Sequence, residues 1–219
     1  MESLQPLGDR AVLAVCRDER DATRFADAVR RLGAPWFIDV VQAYSTVAVH
    51  FDLDRATFAE VAAALSCPVA SAEAADVSSG KRHVLPCCYE MQHDLERVAH
   101  HVGLSPEDVV RLHSGTEYTI YAIGFSPGFP YLGYLPDALC GAPRLESPRP
   151  RVEPGSVGLT GRQTGVYPEA RPGGWNLIGR TPLKLVDVVE GYFPLRTGDR
   201  VRFEPIGAAE FRRLLGTRL

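Results

Sequence analysis

The residues with the clearest capacity for chemistry lie in three runs rich in Gly, Pro and aromatic side chains. The runs are Ile123 to Leu132, Gly155 to Pro168 and Arg171 to Pro182. Gly allows backbone conformations that are closed to other residues and Pro fixes φ, so such runs form shaped loops or barrel corners. Each run also contains a polar side chain, namely Ser126, Gln163 or Arg180. Because binding residues concentrate on loops held by a rigid scaffold, the runs predict a site, with purely geometric corners as the alternative.

His113 is the candidate acid or base. It ends a predicted helix and precedes the strand that leads into the first run. An imidazole in this position would either transfer protons or cap the helix carboxyl end and pack against its surroundings. We expect His113 to face a pocket formed by the three runs.

Further side chains near these runs are candidates for binding. A basic stretch broken by Pro contains Arg144, Arg149 and Arg151. Such a stretch would hold a carboxylate or phosphate, or would form a solvated loop. The loop aromatics are Tyr131, Tyr134, Tyr167 and Trp175. They would line a pocket or plug a barrel end.

Motifs for phosphate and metal binding are absent from the sequence. The segment from Gly158 to Gly165 is rich in Gly but lacks the lysine of a phosphate loop. No two histidines have the H-x-x-x-H spacing of a zinc site, and neither G-x-S-x-G nor H-E-x-x-H occurs. We therefore expect no metal, and no complete active site within the chain.

Composition narrows the class of protein. The chain has 219 residues, 45% of them hydrophobic, which is enough to bury one large core or two small ones. Its formal net charge of -3 argues against a nucleic-acid partner. It contains no apolar stretch long enough for a membrane span and no apolar signal-peptide region near Met1, so we expect a cytoplasmic protein.

Cysteine usage is consistent with a reducing compartment. The five cysteines are odd in number and form no C-x-x-C motif. Cys87 and Cys88 are adjacent in an apolar segment, so we expect buried structural thiols rather than a redox pair.

The periodicity of the first third predicts an α+β domain over residues 1–75. The predicted strands are 10–17, 37–41 and 45–51, and the predicted helices are 21–32 and 54–65. The segment from Ala70 to Gly80 has no periodicity and predicts an exposed linker.

The second predicted domain, residues 81–219, begins with a strand and two short helices. Asp94 is the predicted N-cap of the helix over 95–102, and Ser105 begins the capping box of the next helix. Short strands separated by turns follow, which favours a β-barrel or sandwich. The predicted elements are strands at 81–89, 116–125, 156–160, 176–180, 183–188 and 199–204 and a helix at 208–215.

The motifs of the second domain resemble one family, that of KipI, also called allophanate hydrolase subunit 1. The resemblance is carried by Leu112-His113, Gly124 to Gly133, Pro148 to Val152, Gly155 to Val157, Gln163 to Pro168, Pro172 to Trp175 and Ile178 to Pro182. Weaker matches at Leu7 to Ala11 and Ile38 to Tyr44 extend it to nearly the whole chain. Glu90 to His93 departs from the family, whose members often have a Gly-rich stretch there.

The resemblance implies an α+β N-terminal domain followed by a cyclophilin-like β-barrel. Bacterial members of this family include the B-type subunit of 5-oxoprolinase, which acts with A-type and C-type subunits in the ATP-dependent opening of 5-oxoproline to glutamate. Related sequences belong to the carboxyltransferase region of urea carboxylase. The family also includes KipI, which inhibits a sensor histidine kinase, and this regulatory role is the alternative.

For such a 5-oxoprolinase subunit, we expect His113 to be the catalytic acid or base and a partner subunit to hold or share the ATP. The expected substrate-binding residues are Phe125, Phe129, Tyr131, Arg151, Gln163, Thr164, Tyr167, Trp175 and Arg180. Among them, Arg151, Gln163 and Arg180 would be polar or anion-binding groups.

Overall fold

The computed structural model describes residues 1–66, 80–91 and 93–219, which divide into two units, Met1–Ser79 and Gly80–Leu219. Apart from Gly80, the predicted linker lies outside the described residues. The predicted boundary between residues 75 and 81 lies largely in the same gap.

The first unit contains an antiparallel sheet and two helices. Its elements are β1 (Ser3–Pro6), β2 (Ala11–Val15), α1 (Glu19–Arg31), β3 (Phe37–Ala43), β4 (Thr46–Phe51) and α2 (Phe58–Ser66). The strands pair in the order β1-β2-β4-β3. Alternate residues of β4 are buried, and they share one apolar core with Phe25 and Val29 of α1. This period of two against a helical face is the pattern that predicted an α+β unit.

Local capping explains where the helices of this unit begin. The carboxylate of Asp18 accepts the N–H of Asp21 at 2.8 Å, so α1 begins directly after Asp18. The second predicted helix begins at Phe58, four residues later than expected. Thr57 and Glu60 form a capping box there, with Glu60 Oε2 accepting the Thr57 N–H at 2.8 Å.

The second unit contains the Gly/Pro-rich runs. It begins with β5 (Arg82–Cys87), α3 (Leu95–Val102) and α4 (Pro106–Ser114). The later strands are β6 (Glu117–Ile123), β7 (Pro130–Gly133), β8 (Arg149–Val152), β9 (Ser156–Thr160), β10 (Gln163–Val166), β11 (Arg171–Gly173), β12 (Asn176–Arg180) and β13 (Arg200–Pro205). A 3-10 turn at Asp137–Leu139 and a final helix, α5 (Ala208–Leu214), complete the unit.

Most strands of the second unit follow one path, β5-β13-β6-β7-β10-β9-β12. Only the pairing of β5 with β13 is parallel. A bridge between Cys88 and Arg180 joins the chain just after β5 to β12, the other end of the path. A separate two-stranded sheet pairs β8 with β11. The predicted α+β domain and β-barrel are confirmed as far as a mixed α/β fold with mostly antiparallel strands, and the cyclophilin-like barrel stays a prediction that this bridge supports.

One sequence prediction for the second unit is wrong, and another is confirmed in position only. Leu183 to Val188 forms only isolated bridges rather than a strand, since Pro182 precedes it and a turn follows at Val188. Asp94 occupies the N-cap position of α3, yet its side chain caps no helix N–H.

None of the helices in the described part of the chain is long and apolar enough to cross a membrane.

Candidate functional site

His113 is buried against the second unit's apolar core. The side chain is at the end of α4 and has no exposed surface. Its ring packs 4.7 Å from the ring of Phe203 and 5.3 Å from that of Tyr118, measured between centroids. The expectation that His113 faces a pocket is therefore wrong, because β6 and β13 cover the imidazole with their aromatic side chains.

Both ring nitrogens of His113 are engaged. Nδ1 lies 2.7 Å from the Tyr89 hydroxyl, and Nε2 lies 2.9 Å from Oγ1 of Thr164. Thr164 donates its own proton to the Gly158 carbonyl at 3.0 Å, since a carbonyl oxygen only accepts. Thr164 must then accept from Nε2–H, which leaves Nδ1 to accept from Tyr89. The network is satisfied by one neutral tautomer.

The electrostatics of this site favour the neutral imidazole. Burial lowers the pKa of His113 from its ordinary value of 6.5 to about 3. Burial also raises the pKa of Tyr89 well above its usual value. A base that is neutral, enclosed and already hydrogen-bonded on both sides is typical of a structural core residue. The predicted role of His113 in proton transfer stays a prediction, and this geometry argues against it.

The predicted aromatic binding residues come together in a cluster beside the three runs, which we call the aromatic cluster. Its members are Phe125, Phe129, Tyr131, Tyr167 and Trp175. Phe129 is central, with centroids of Tyr131 at 4.9 Å, Tyr167 at 5.1 Å and Trp175 at 5.6 Å. Most of these pairs are edge-to-face, the arrangement that ring quadrupoles favour.

Glycines of the runs allow the aromatic cluster to pack. A Cβ on Gly173 would lie 2.3 Å from the Tyr167 hydroxyl, and one on Gly165 would lie 2.8 Å from the Pro130 carbonyl. Neither position tolerates a side chain without displacement of its neighbours. These contacts agree with the geometric interpretation of the runs, in which Gly serves packing.

Phe125 differs from the other members because its ring is 61% exposed. Its φ of 66° is unusual for a residue with a side chain. The Ser126 N–H donates to the Gly124 carbonyl at 2.8 Å, which closes a γ-turn around Phe125. Within the described residues, the buried Oγ of Ser126 has no hydrogen-bond partner. This turn presents Phe125 to solvent while it encloses Ser126.

Arg151 and Gln163 are predicted binding residues that lie outside the aromatic cluster and the core. Arg151 is exposed and pairs with Glu153 at 2.6 Å, so its charge is already compensated. Gln163 begins β10, opposite Gly133 on one side and Thr160 on the other. The structure therefore separates these two residues from His113, although the sequence predicted one pocket for all three.

Asp94 holds the start of α3 to the edge of the sheet. One carboxylate oxygen accepts from Arg149 at 2.7 Å and the other accepts the Leu177 N–H at 2.7 Å. Arg149 also donates to the Trp175 carbonyl at 3.4 Å. Asp94 thus joins three segments that are distant in sequence, which explains why its carboxylate is not available as a helix cap.

A cleft of about 350 Å³ lies beside the end of β12, and we call it the β12 cleft. Its apolar walls are Pro154, Pro168, Pro182, Leu183, Val186 and Leu215. Arg180, Glu169 and Lys184 are the charged residues that line it. Its size falls at the lower end of the range for small-molecule sites.

The β12 cleft contains only one of the predicted binding residues, Arg180. The other lining residues come from positions 154–216, and none of them was predicted as a site residue. The one signal that pointed here was the Ile-Gly-Arg-Thr-Pro motif that ends the third run, because it places Arg180 between a strand and a proline.

The described residues contain no metal-ion cluster, and the segment rich in Gly does not form a phosphate loop. Across 1–66, 80–91 and 93–219, no group of three His, Cys, Asp or Glu side chains is arranged to hold a metal ion. The Gly158 to Gly165 segment forms the β9–β10 hairpin, whereas a phosphate loop leads from a strand into a helix.

Comparison with known proteins identifies the family. Residues 2–192 match the family described as the carboxyltransferase domain, subdomain C and D. This chain belongs to that family. The B-type subunit of 5-oxoprolinase from Bacillus subtilis (strain 168) is 40% identical over 191 residues, which are 81% of this chain and 79% of that protein.

Solved structures agree with membership of the carboxyltransferase C and D family. TTHA0988 is 35% identical with a TM-score of 0.77, and the match covers 90% of this chain and 40% of that chain. This chain thus spans less than half of TTHA0988. The urea amidolyase of K. lactis has a TM-score of 0.74 at 17% identity, over 96% of this chain and 15% of that one, which supports the fold alone.

Proposed function

We propose that this chain is a subunit of an ATP-dependent 5-oxoprolinase that opens 5-oxoproline to glutamate together with A-type and C-type subunits. The observation that carries the proposal is the B-type 5-oxoprolinase subunit of Bacillus subtilis, which is 40% identical and aligned over most of both chains. At this identity and coverage, a shared place in the same kind of assembly is the simplest expectation. That the relative is itself a subunit supports the need for partners.

The chemistry of the proposed reaction explains why partners are needed. Opening a lactam requires a polarised carbonyl, an activated oxygen nucleophile and a viable leaving group, and ATP is expected to supply the last of these. In this chain His113 is buried and neutral, and the β9–β10 hairpin does not form a phosphate loop. We therefore assign ATP binding and the acid/base steps to the partner subunits. We assign substrate positioning to this chain.

Reconstitution from purified subunits tests this proposal. The chain alone should release no glutamate from 5-oxoproline with ATP, and a mixture with A-type and C-type subunits should do so. A mixture that lacks only this chain is the matched control. Turnover by the isolated chain, or equal turnover with and without it, would refute the proposal.

The second candidate function is binding to a sensor histidine kinase. The observation in its favour is a set of exposed apolar side chains on the second unit, with Phe125 61% and Val189 97% exposed. Such surface suits contact with a protein partner. Affinity purification at native expression level separates the two candidates, because one predicts recovery of hydrolase-like subunits and the other predicts recovery of a kinase.

A further inference from the structure

We propose that the β12 cleft binds a small monocarboxylate with a compact body of few polar groups, and that Arg180 anchors the carboxylate. The choice of 5-oxoproline as the ligand within this class rests on the proposed function. The cleft itself is inferred from charge, hydrogen bonding and shape, which are independent of that function.

The charges around the cleft leave one cation unpaired. Lys184 is paired with Asp187 at 2.6 Å, and Glu169 is paired with Arg171 at 3.0 Å. Among the described residues, no carboxylate lies within ion-pair distance of Arg180. The nearby Glu153 has a pKa below its usual value mainly because Arg151 donates to it, with a smaller contribution from Arg180. The cleft therefore offers one uncompensated positive charge, which suits one negative charge on a ligand.

The guanidinium of Arg180 is held in place by contacts within the protein. Its Nε donates to the Pro154 carbonyl at 2.9 Å, and its Cζ lies 5.7 Å from the centre of the Phe211 ring. The Nε contact leaves the terminal nitrogens for other acceptors, and no described residue accepts a hydrogen bond from them. A planar fork fixed in this way matches a carboxylate, and little side-chain entropy would be lost on binding.

The backbone on one side of the cleft is also fixed. The Thr181 N–H donates to the Gly155 carbonyl at 2.8 Å, and the Gly216 N–H donates to the Pro182 carbonyl at 2.9 Å. The Lys184 N–H donates to the Thr217 carbonyl at 2.8 Å. Contacts before and after Pro182 hold this segment on both sides, so backbone hydrogen bonds fix this wall of the cleft.

The lining restricts the class of ligand. The walls are mostly proline and aliphatic side chains, so the body of the ligand should be compact and carry few polar groups. A nucleoside triphosphate carries several negative charges and needs several cations, whereas only Arg180 is unpaired among the described residues that line the cleft. A five-membered lactam with one carboxylate is compact and has a single amide besides its one charge, so it meets both requirements. Its neutral counterpart without the carboxylate should bind poorly.

Calorimetric titration of the purified full-length chain tests the inference. The probes are 5-oxoproline and 2-pyrrolidone, which share the lactam ring and differ by the carboxylate. We expect 5-oxoproline to bind about 10- to 100-fold more tightly, the range for a hydrogen-bonded charged group. Equal affinity for the two probes, or binding of neither, would overturn the inference.

Two variants and a control locate the site. Arg180→Gln should weaken 5-oxoproline binding by about 10-fold or more and leave 2-pyrrolidone unaffected. Arg202→Gln, which removes an exposed arginine that does not line the cleft, is the matched control and should bind normally. Ala170→Phe fills the cleft while Arg180 stays in place, so it should also abolish binding even if Arg180→Gln folds poorly. Unchanged affinity in Ala170→Phe would place the ligand elsewhere.

The outcomes separate this inference from the proposed function. The reconstituted enzyme could need this chain and still turn over normally with the Ala170→Phe variant. That result would refute the cleft as the binding site and leave the proposed function standing. Carboxylate binding that depends on Arg180, with no turnover in the reconstituted mixture, would support the cleft and refute the function.

Discussion

The folded protein should lose stability in mild acid, because His113 accepts a proton there only in the unfolded chain. The pKa of His113 is about 3 in the folded state against an ordinary value of 6.5. Between these values the unfolded state binds more protons than the folded state. The stability associated with the neutral imidazole is therefore complete above pH 6.5 and decreases as the pH falls towards 3.

The size of the effect follows from the same two values. One pKa unit corresponds to about 1.4 kcal/mol, so lowering the pH from 7.5 to 4.5 should cost about 3 kcal/mol through His113 alone. Urea unfolding of the wild type and of His113→Gln across this range measures the free energy of unfolding. The variant shares every other titrating group and keeps a hydrogen-bonding side chain, so the difference between the two curves isolates the imidazole.

Equal loss of stability in both proteins would refute this reasoning. If His113→Gln does not fold, the ring nitrogen chemical shifts of the wild type give the same answer, because they should show a neutral imidazole down to pH 5. If the network is structural, a folded His113→Gln subunit should support near-normal turnover in the reconstituted enzyme. A loss of about 10²-fold or more in a stable variant would instead restore the acid/base role.

Three further predictions concern packing. Asp94→Ala should lower the free energy of unfolding by about 2 to 4 kcal/mol, because Arg149 and the Leu177 N–H lose their partner. A loss below about 1 kcal/mol in urea unfolding would contradict this. Gly173→Ala should lower the free energy of unfolding by about 1 to 3 kcal/mol in thermal unfolding, because its Cβ would overlap the Tyr167 ring. Gly124→Ala is the control, since its Cβ has no neighbour nearer than 3.9 Å, and it should stay within about 0.5 kcal/mol of wild type. Cys87 is buried and its pKa is raised, so iodoacetamide should label it only after unfolding, as measured by mass spectrometry. Rapid labelling of the native protein would disprove this burial.

Local sequence signals were sufficient for most helices and for several strands. The predicted α3 has the bounds found in the structure, and α4 begins where the capping box of Ser105 places it. The strands at 156–160 and 176–180 also have their predicted bounds. These elements depend on caps, turns and periodicity within a few residues, which a single sequence displays. The short strands β7, β8 and β11 were missed because each has only three or four residues and contains Pro.

The aromatic cluster was partly predictable and the surroundings of His113 were not. The sequence placed Phe129, Tyr167 and Trp175 in Gly/Pro runs, and the structure packs them together. For His113, the helix end was predicted, but its environment depends on Tyr89 and Thr164, which are 24 and 51 positions away in the chain. Only the strand pairing brings those residues to the imidazole and excludes water from it.

The sequence by itself determined the family, the mixed α/β class and the local elements, because motifs and caps are contiguous in the chain. The tertiary structure alone decided which polar groups are available for a ligand. It buried His113 and placed Arg180 beside apolar residues drawn from positions 154–216. The physical reason is that burial is set by neighbours that are distant in sequence, and no local pattern encodes it.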